Sequence, residues 1–260
     1  MRQLLPTLEE DVDPVARYAA DDRPTPIDRP WVLVNMITSV DGATAVAERS
    51  GGLGGPADRE VFRALRELCD GILVGAATVR TENYRPVRMD EAARARRRGR
   101  AQQEVPRLVI VSGSADLDVE APLFVEGVSA STTASASAIR PIVVTTERAD
   151  ARRREALAEV AEVLVMGADS VSMSDTLGAL RAMGLRTVLC EGGPIVNAQL
   201  LAADLVDEWC QTISPLLVGG DSSRAARSSG PPGDGPPQAM RLRRLLEQDG
   251  MLLADYVRAQ

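Results

Sequence analysis

Glu191 stands directly before Gly192, Gly193 and Pro194, at the end of the apolar run Thr187, Val188, Leu189, Cys190. A strand that passes through paired glycines into a helix leaves main-chain N–H groups and the positive end of a helix dipole at the turn, an arrangement suited to phosphate. Glycine lets a ligand reach the backbone, and Pro194 fits a first helical position, where no N–H is needed. Alone, the stretch also reads as an ordinary tight turn. A second junction lies upstream, where Gly71 to Val74 has the pattern of a buried strand and Gly75, Ala76, Ala77, Thr78 and Val79 lead into another helix start. Two such junctions point to a dinucleotide. The acid/base candidates are Asp41, in the polar turn after the strand that begins at Trp31, and Glu191; each also reads as a turn-capping carboxylate.

The 260-residue chain contains no histidine, and all 30 of its basic residues are arginine. That composition excludes Ser-His-Asp and Cys-His triads, imidazole zinc sites, phosphate-loop lysines and Schiff-base lysines. Chemistry carried by a bound cofactor remains, with the protein supplying orientation and electrostatics. No metal site is expected. A net charge of −7 argues against general nucleic-acid binding, and the basic run Arg94, Arg96, Arg97, Arg98, Arg100 reads as a solvated loop. Cys69, Cys190 and Cys210 sit in apolar segments without metal spacing and read as buried thiols. No apolar run reaches the roughly 20 residues that span a bilayer, and the acidic start lacks a signal-peptide pattern, so a cytoplasmic protein is expected.

The elements that must hold these groups follow from hydrophobic period. Residues 1–30 are proline-rich and acidic and read as a lead-in arm with one short helix near 14–20. Residues 31–260 then alternate short apolar strands with helices, which predicts one α/β domain with a mostly parallel central sheet, helices on both faces and antiparallel C-terminal strands. Gly51, Gly52, Gly54 and Gly55 crowd a loop that is either mobile or a lid. The helix after Pro56 buries Val61, Phe62, Leu65, Leu68 and Cys69, while Arg59, Arg63 and Arg66 form a ridge that faces solvent or an anionic substrate. A strand near 107–112 ends in Ser112 and Ser114, a place for an adenosine ribose or its 2′-phosphate or simply a serine turn. Residues 129–138 are serine- and alanine-rich and 221–237 are proline- and glycine-rich, and both read as loops. The segment 251–258 reads as an edge strand.

In this order, the motifs at residues 36–42, 72–82, 111–112, 191–197, 206–208 and 215–220 resemble the pyrimidine reductase family of riboflavin biosynthesis. That family forms the C-terminal half of a bifunctional deaminase/reductase and has a dihydrofolate-reductase-like fold. The resemblance implies a homodimeric reductase that uses NADPH. It implies pyrophosphate contacts from Gly75, Thr78 and Val79 and from Gly192, Gly193, Pro194, Ile195, Val196 and Asn197, with Glu82 near the cofactor and Ser112 by its 2′-phosphate. It also implies substrate contacts from Ser50, Arg66, Arg88 and Glu191. Nothing in the chain matches the family's zinc deaminase half. The chain departs from the pattern at Asn35, where a lysine is usual, and near Gly52, where a tryptophan is frequent.

The leading reading is hydride transfer from NADPH to 5-amino-6-(5-phosphoribosylamino)uracil, giving the ribitylamino product. Asp41 or Glu191 would orient the substrate or deliver a proton, and Arg66 would grip its phosphate. A second reading is reduction of a pterin or dihydrofolate, which calls for a carboxylate on the helix after the glycine loop: Asp58, Glu60, Glu67 or Asp70. A third is a non-catalytic NADP-binding protein.

Overall fold

The computed structural model describes residues 1–129, 140–228 and 237–259, so almost all of the 129–138 stretch and residues 229–236 lie outside the described residues. The described strands are β1 (Arg2–Leu5), β2 (Trp31–Ser39), β3 (Gly71–Gly75), β4 (Arg107–Val111), β5 (Ile142–Thr145), β6 (Glu162–Val165), β7 (Thr187–Cys190), β8 (Glu208–Ser214), β9 (Met240–Gln248) and β10 (Met251–Arg258). They form one sheet in the order β1-β9-β10-β8-β2-β7-β3-β4-β5-β6. From β8 to β6 all neighbours are parallel, and β8, β10, β9 and β1 pair antiparallel.

The parallel strands are apolar at successive positions because both of their faces are covered. Leu33, Ile72, Val74 and Ile110 pack into one core with α2 (Pro56–Leu68), and Leu157 of α6 (Ala151–Val160) joins them. Val32, Val34, Leu73 and Val109 point the other way, into a core with α7 (Met173–Ala182) and α8 (Pro194–Ala202). Each fully buried Leu, Ile or Val contributes roughly 2 kcal/mol, so the alternation locks the register of the central strands. Helix starts are set by side chains as well: Asp150 accepts from the Arg153 N–H, and Ser172 from the Asp175 N–H. As expected, the three cysteines are buried free thiols, and burial pushes Cys69 and Cys190 up to about 12.

Three expectations change. First, β10 is not an edge strand; it lies between β8 and β9. β9 has no strand signature in the sequence because Arg241, Arg243, Arg244 and Glu247 interrupt its apolar pattern, yet Arg243 and Arg244 turn inward to Asp255. Second, residues 1–30 also contribute β1 to the sheet edge, and the short helix expected near 14–20 is present as α1 (Pro14–Ala19), whose Tyr18 is 1% exposed. Third, the basic run lies in helix α4 (Glu91–Gly99) and not in a solvated loop. Arg97 is fully buried there and donates to the Glu67, Cys69 and Gln103 carbonyls, so it closes the C-terminal end of α2.

Candidate active site

The two strand-to-helix junctions identified from sequence lie side by side, because β7 pairs with β3. The Gly75 N–H donates to the Gly192 carbonyl at 2.9 Å, stitching one turn to the other. Gly192 has φ +90°, a conformation that favours glycine, and its peptide bond to Gly193 is cis. A Cβ on Gly193 would lie 2.7 Å from the Thr78 Oγ1, and one on Gly75 would lie 3.2 Å from a Val196 methyl. Glycine at these positions lets the turns approach this closely without displacing the Thr78 hydroxyl or the Val196 methyl. No side chain caps α8 or the short helix α3 (Ala76–Thr81), so the first-turn N–H groups of both stay available to an anion. The paired junctions therefore fit the diphosphate of a dinucleotide.

They open onto a cavity of about 450 Å³. Of the residues singled out by sequence, Ser50, Thr78, Glu82, Glu191, Gly192, Gly193 and Pro194 line it. Glu82 accepts from both the N–H and the hydroxyl of Ser50 at 2.9 Å, which ties the glycine loop to the end of α3. Asn197 is fully buried behind the wall, where its amide donates to the Ala225 carbonyl at 2.7 Å and pins the segment that carries the cavity residue Ser223. Val79 and Val196 pack in the core, and Ile195 is exposed.

Glu191 is the organised centre of the site. Its carboxylate takes a bidentate pair from Arg66, 2.6 Å from Nε and 2.7 Å from Nη2, and a 2.6 Å hydrogen bond from the Tyr84 hydroxyl. Arg66 stacks on Phe62, its guanidinium carbon 4.3 Å from the ring centre. Burial alone would lower the Arg66 guanidinium, but the charge and hydrogen bonds of Glu191 raise it. Burial, and then the neighbouring Glu191 charge, push the Tyr84 phenol well above its ordinary value, so it stays a neutral donor. A carboxylate offers about four acceptor positions. Three are filled here, on a residue of the cavity wall whose side chain is 2% exposed.

Several expected residues stand elsewhere. Asp41 does not line the cavity: its carboxylate accepts from the Ser39 hydroxyl at 2.5 Å and from the Gly219 N–H at 2.7 Å. Those bonds, Ser39 first, lower it to about 2, so at neutral pH it has no proton to give. Arg66, its side chain 26% exposed against 2% for Glu191, is committed to that carboxylate and is not among the residues that line the cavity. Arg88 is 79% exposed and pairs with Glu126 at 3.4 Å, away from the cavity. Ser112 ends β4 two strands from β7, buried beneath a second hollow of about 410 Å³ that Gly113, Ser114, Thr146 and Arg148 help to line.

Other wall residues had no strong signal in the sequence. Tyr84 follows Glu82 in a polar loop; Asn35, by contrast, is marked by its departure from the family's lysine, and it lines the wall. Of the four helix carboxylates weighed for pterin binding, Asp58 alone lines the cavity. Burial raises it, against a hydrogen bond with Thr212 and the charge of Arg59. Glu67 instead pairs with Arg96 and Arg100, and Asp70 accepts from the Arg186 and Thr187 N–H groups.

Residues 30–247 match the RibD C-terminal domain family. A 2,5-diamino-6-ribosylamino-4(3H)-pyrimidinone 5′-phosphate reductase of Methanothermobacter thermautotrophicus is 31% identical over 203 residues, 75% of this chain and 82% of that protein. A crystal structure of a pyrimidine reductase-like protein from Corynebacterium diphtheriae has a TM-score of 0.81 at 27% identity, covering 96% of this chain and all of that one. The Thermotoga maritima diaminohydroxyphosphoribosylaminopyrimidine deaminase/5-amino-6-(5-phosphoribosylamino)uracil reductase shares the fold, with a TM-score of 0.67 at 20% identity. That alignment covers 89% of this chain and 57% of the bifunctional one.

Proposed function

Because this chain belongs to the RibD C-terminal domain family and is a reductase, we propose that it reduces 5-amino-6-(5-phosphoribosylamino)uracil to the ribitylamino product with NADPH. The observation that carries this reading is the stitched pair of uncapped junctions opening beside Glu191. At the Gly75 and Gly192–Gly193 turns, the first-turn N–H groups of α3 and α8 and the Thr78 hydroxyl would hold the cofactor diphosphate, with the adenosine end toward Ser112. When bound, the cofactor supplies a hydride. The chain's own residues hold the acceptor in line and keep water out.

Glu191, fixed by Arg66 and Tyr84, spends its remaining acceptor position on an N–H or O–H of the substrate. The reduction also takes up one proton. Asp58, the wall carboxyl that burial keeps closer to its protonated form, is the residue placed to hold it. These roles replace Asp41 as the acid.

Asp58 also favours a second reading, a pterin or dihydrofolate reductase, since a carboxyl on this helix can pair with an amino-substituted ring. The assembly we propose is a homodimer. Trp209, Gln211 and Ile213 of β8 and Leu252 and Tyr256 of β10 stay half-buried on one sheet face while most of their neighbours on the other are buried, which leaves area for a second copy.

The test is NADPH oxidation with the pyrimidine phosphate and with dihydrofolate. Turnover of the pyrimidine alone is expected, with a drop of roughly a hundredfold in Asp58→Asn. Turnover of dihydrofolate alone would replace the first reading with the second. NADPH binding without turnover of either would leave a non-catalytic NADP-binding protein.

A further inference from the structure

The resemblance places Asn197 at the cofactor diphosphate, but its side chain is committed elsewhere. Asn197 is fully buried beside the Gly192–Gly193 turn, where a Cβ on Gly192 would lie 3.8 Å from its amide nitrogen. Its Oδ1 accepts from the Cys190 thiol at 3.2 Å. Its Nδ2 donates to the Ala225 carbonyl at 2.7 Å and to the Met36 Sδ at 3.2 Å. The neighbours thus fix which way the amide points, since its donor end meets two acceptors and its acceptor end meets a donor.

Ala225 belongs to a strap, residues 222–227, that runs from the loop after β2 to the first turn of α8. At one end the Thr44 N–H donates to the Ser222 Oγ at 3.0 Å, and the Thr44 hydroxyl donates to the Ser223 carbonyl at 2.8 Å. At the other end the Arg227 N–H donates to the Pro194 carbonyl at 2.9 Å. Thr44, Ser223 and Pro194 all line the cavity, so the strap is wall between its two anchors. Asn197 holds it from behind, and the same side chain, with Met36, backs the glycine turn of the cradle.

We infer that Asn197 is a positioning residue that couples the strap to the glycine turn, so that a dinucleotide in the cradle and a strap docked on α8 stabilise one another. By linkage, the factor by which the ligand tightens the strap equals the factor by which a docked strap tightens the ligand. The inference deepens the NADPH reading, on which the identity of the ligand rests; docking of the strap is tested without any ligand.

Hydrogen exchange at the Arg227 amide is followed in the full chain, in Asn197→Asp and in Thr44→Val, without ligand and with saturating NADP⁺. Thermal melts confirm folding, and calorimetry gives the NADP⁺ Kd. Asn197→Asp keeps the shape but turns a carboxylate oxygen toward the Ala225 carbonyl, and Thr44→Val frees the strap from its other end. Wild type is expected to exchange about tenfold more slowly with NADP⁺, and Asn197→Asp about tenfold faster than wild type without it. Both variants should bind NADP⁺ more weakly, Asn197→Asp by about tenfold and Thr44→Val by less. An Arg227 rate in folded Asn197→Asp equal to that of wild type, or a freed strap with unchanged NADP⁺ affinity, would overturn the coupling. If Asn197→Asp does not fold, the same two outcomes are read from Thr44→Val. A wild type that ignores NADP⁺ yet loses Arg227 protection in Asn197→Asp would sink the cofactor reading and leave Asn197 as the fastener of the strap.

Discussion

Among the described residues, five buried carboxylates are gripped by arginine (Glu67, Glu191, Asp207, Glu208 and Asp255), and of these Glu191 alone lines the cavity. In the antiparallel half, Glu208 is fully buried and accepts four hydrogen bonds: two from Arg23, one from Arg243 and one from the Trp31 indole. Its neighbour Asp255 is held by Arg243 and Arg244, and Asp21 completes the network. In the parallel half, Glu191 accepts three bonds and faces a cavity. With about four acceptor positions per carboxylate, Glu208 is saturated and Glu191 is one short. Burial and arginine pairing are thus common to both carboxylates, and what separates Glu191 is its place in the cavity wall and one hydrogen bond fewer.

The contrast breaks most sharply at Glu208. Glu208→Ala leaves Arg23 and Arg243 without their shared partner, and the stability measured by urea unfolding should fall by about 3–5 kcal/mol. The kcat/KM of the protein that remains folded should stay close to that of wild type. The reverse pattern is expected at Glu191. Glu191→Gln should lower kcat/KM about a hundredfold, roughly 2.7 kcal/mol of transition-state stabilisation, while its unfolding midpoint moves less than that of Glu208→Ala. Should both variants lose stability and activity in the same proportion, the distinction between fastener and site would be lost.

The smallest expected effect concerns Asp41, a third carboxylate that is neither saturated core nor cavity wall. Its folded-state value of about 2 lies below the ordinary 3.8, so its contribution is present above pH 3.8 and is lost as pH falls through about 2. The difference in urea midpoint between wild type and Asp41→Asn should therefore be present at pH 5 and shrink steadily below pH 3.8. A difference that does not change with pH would show that the charge of Asp41 is irrelevant to the Ser39 and Gly219 contacts.

The sequence was most legible where one force dominates. The parallel strands and their helices followed from apolar period, because residues such as Val32, Leu33 and Val34 face covered surfaces on both sides. The glycine junctions were readable because close backbone approach admits few residue types. Legibility failed where charge is buried. Arg243 and Arg244 hid β9, and Arg97 hid a helix that closes another helix, since arginine ordinarily signals solvent and its partners lie far away in sequence. The site failed in the same way: the Arg59, Arg63 and Arg66 ridge was visible, but spacing alone does not tell that Arg66 is committed to a carboxylate 125 residues away.

The amide of Gly75 ends one turn and holds the other through the Gly192 oxygen. That bond couples the two halves of the cradle. On the NADPH reading proposed above, a fragment carrying just the nicotinamide half is therefore expected to slow amide exchange at Gly75.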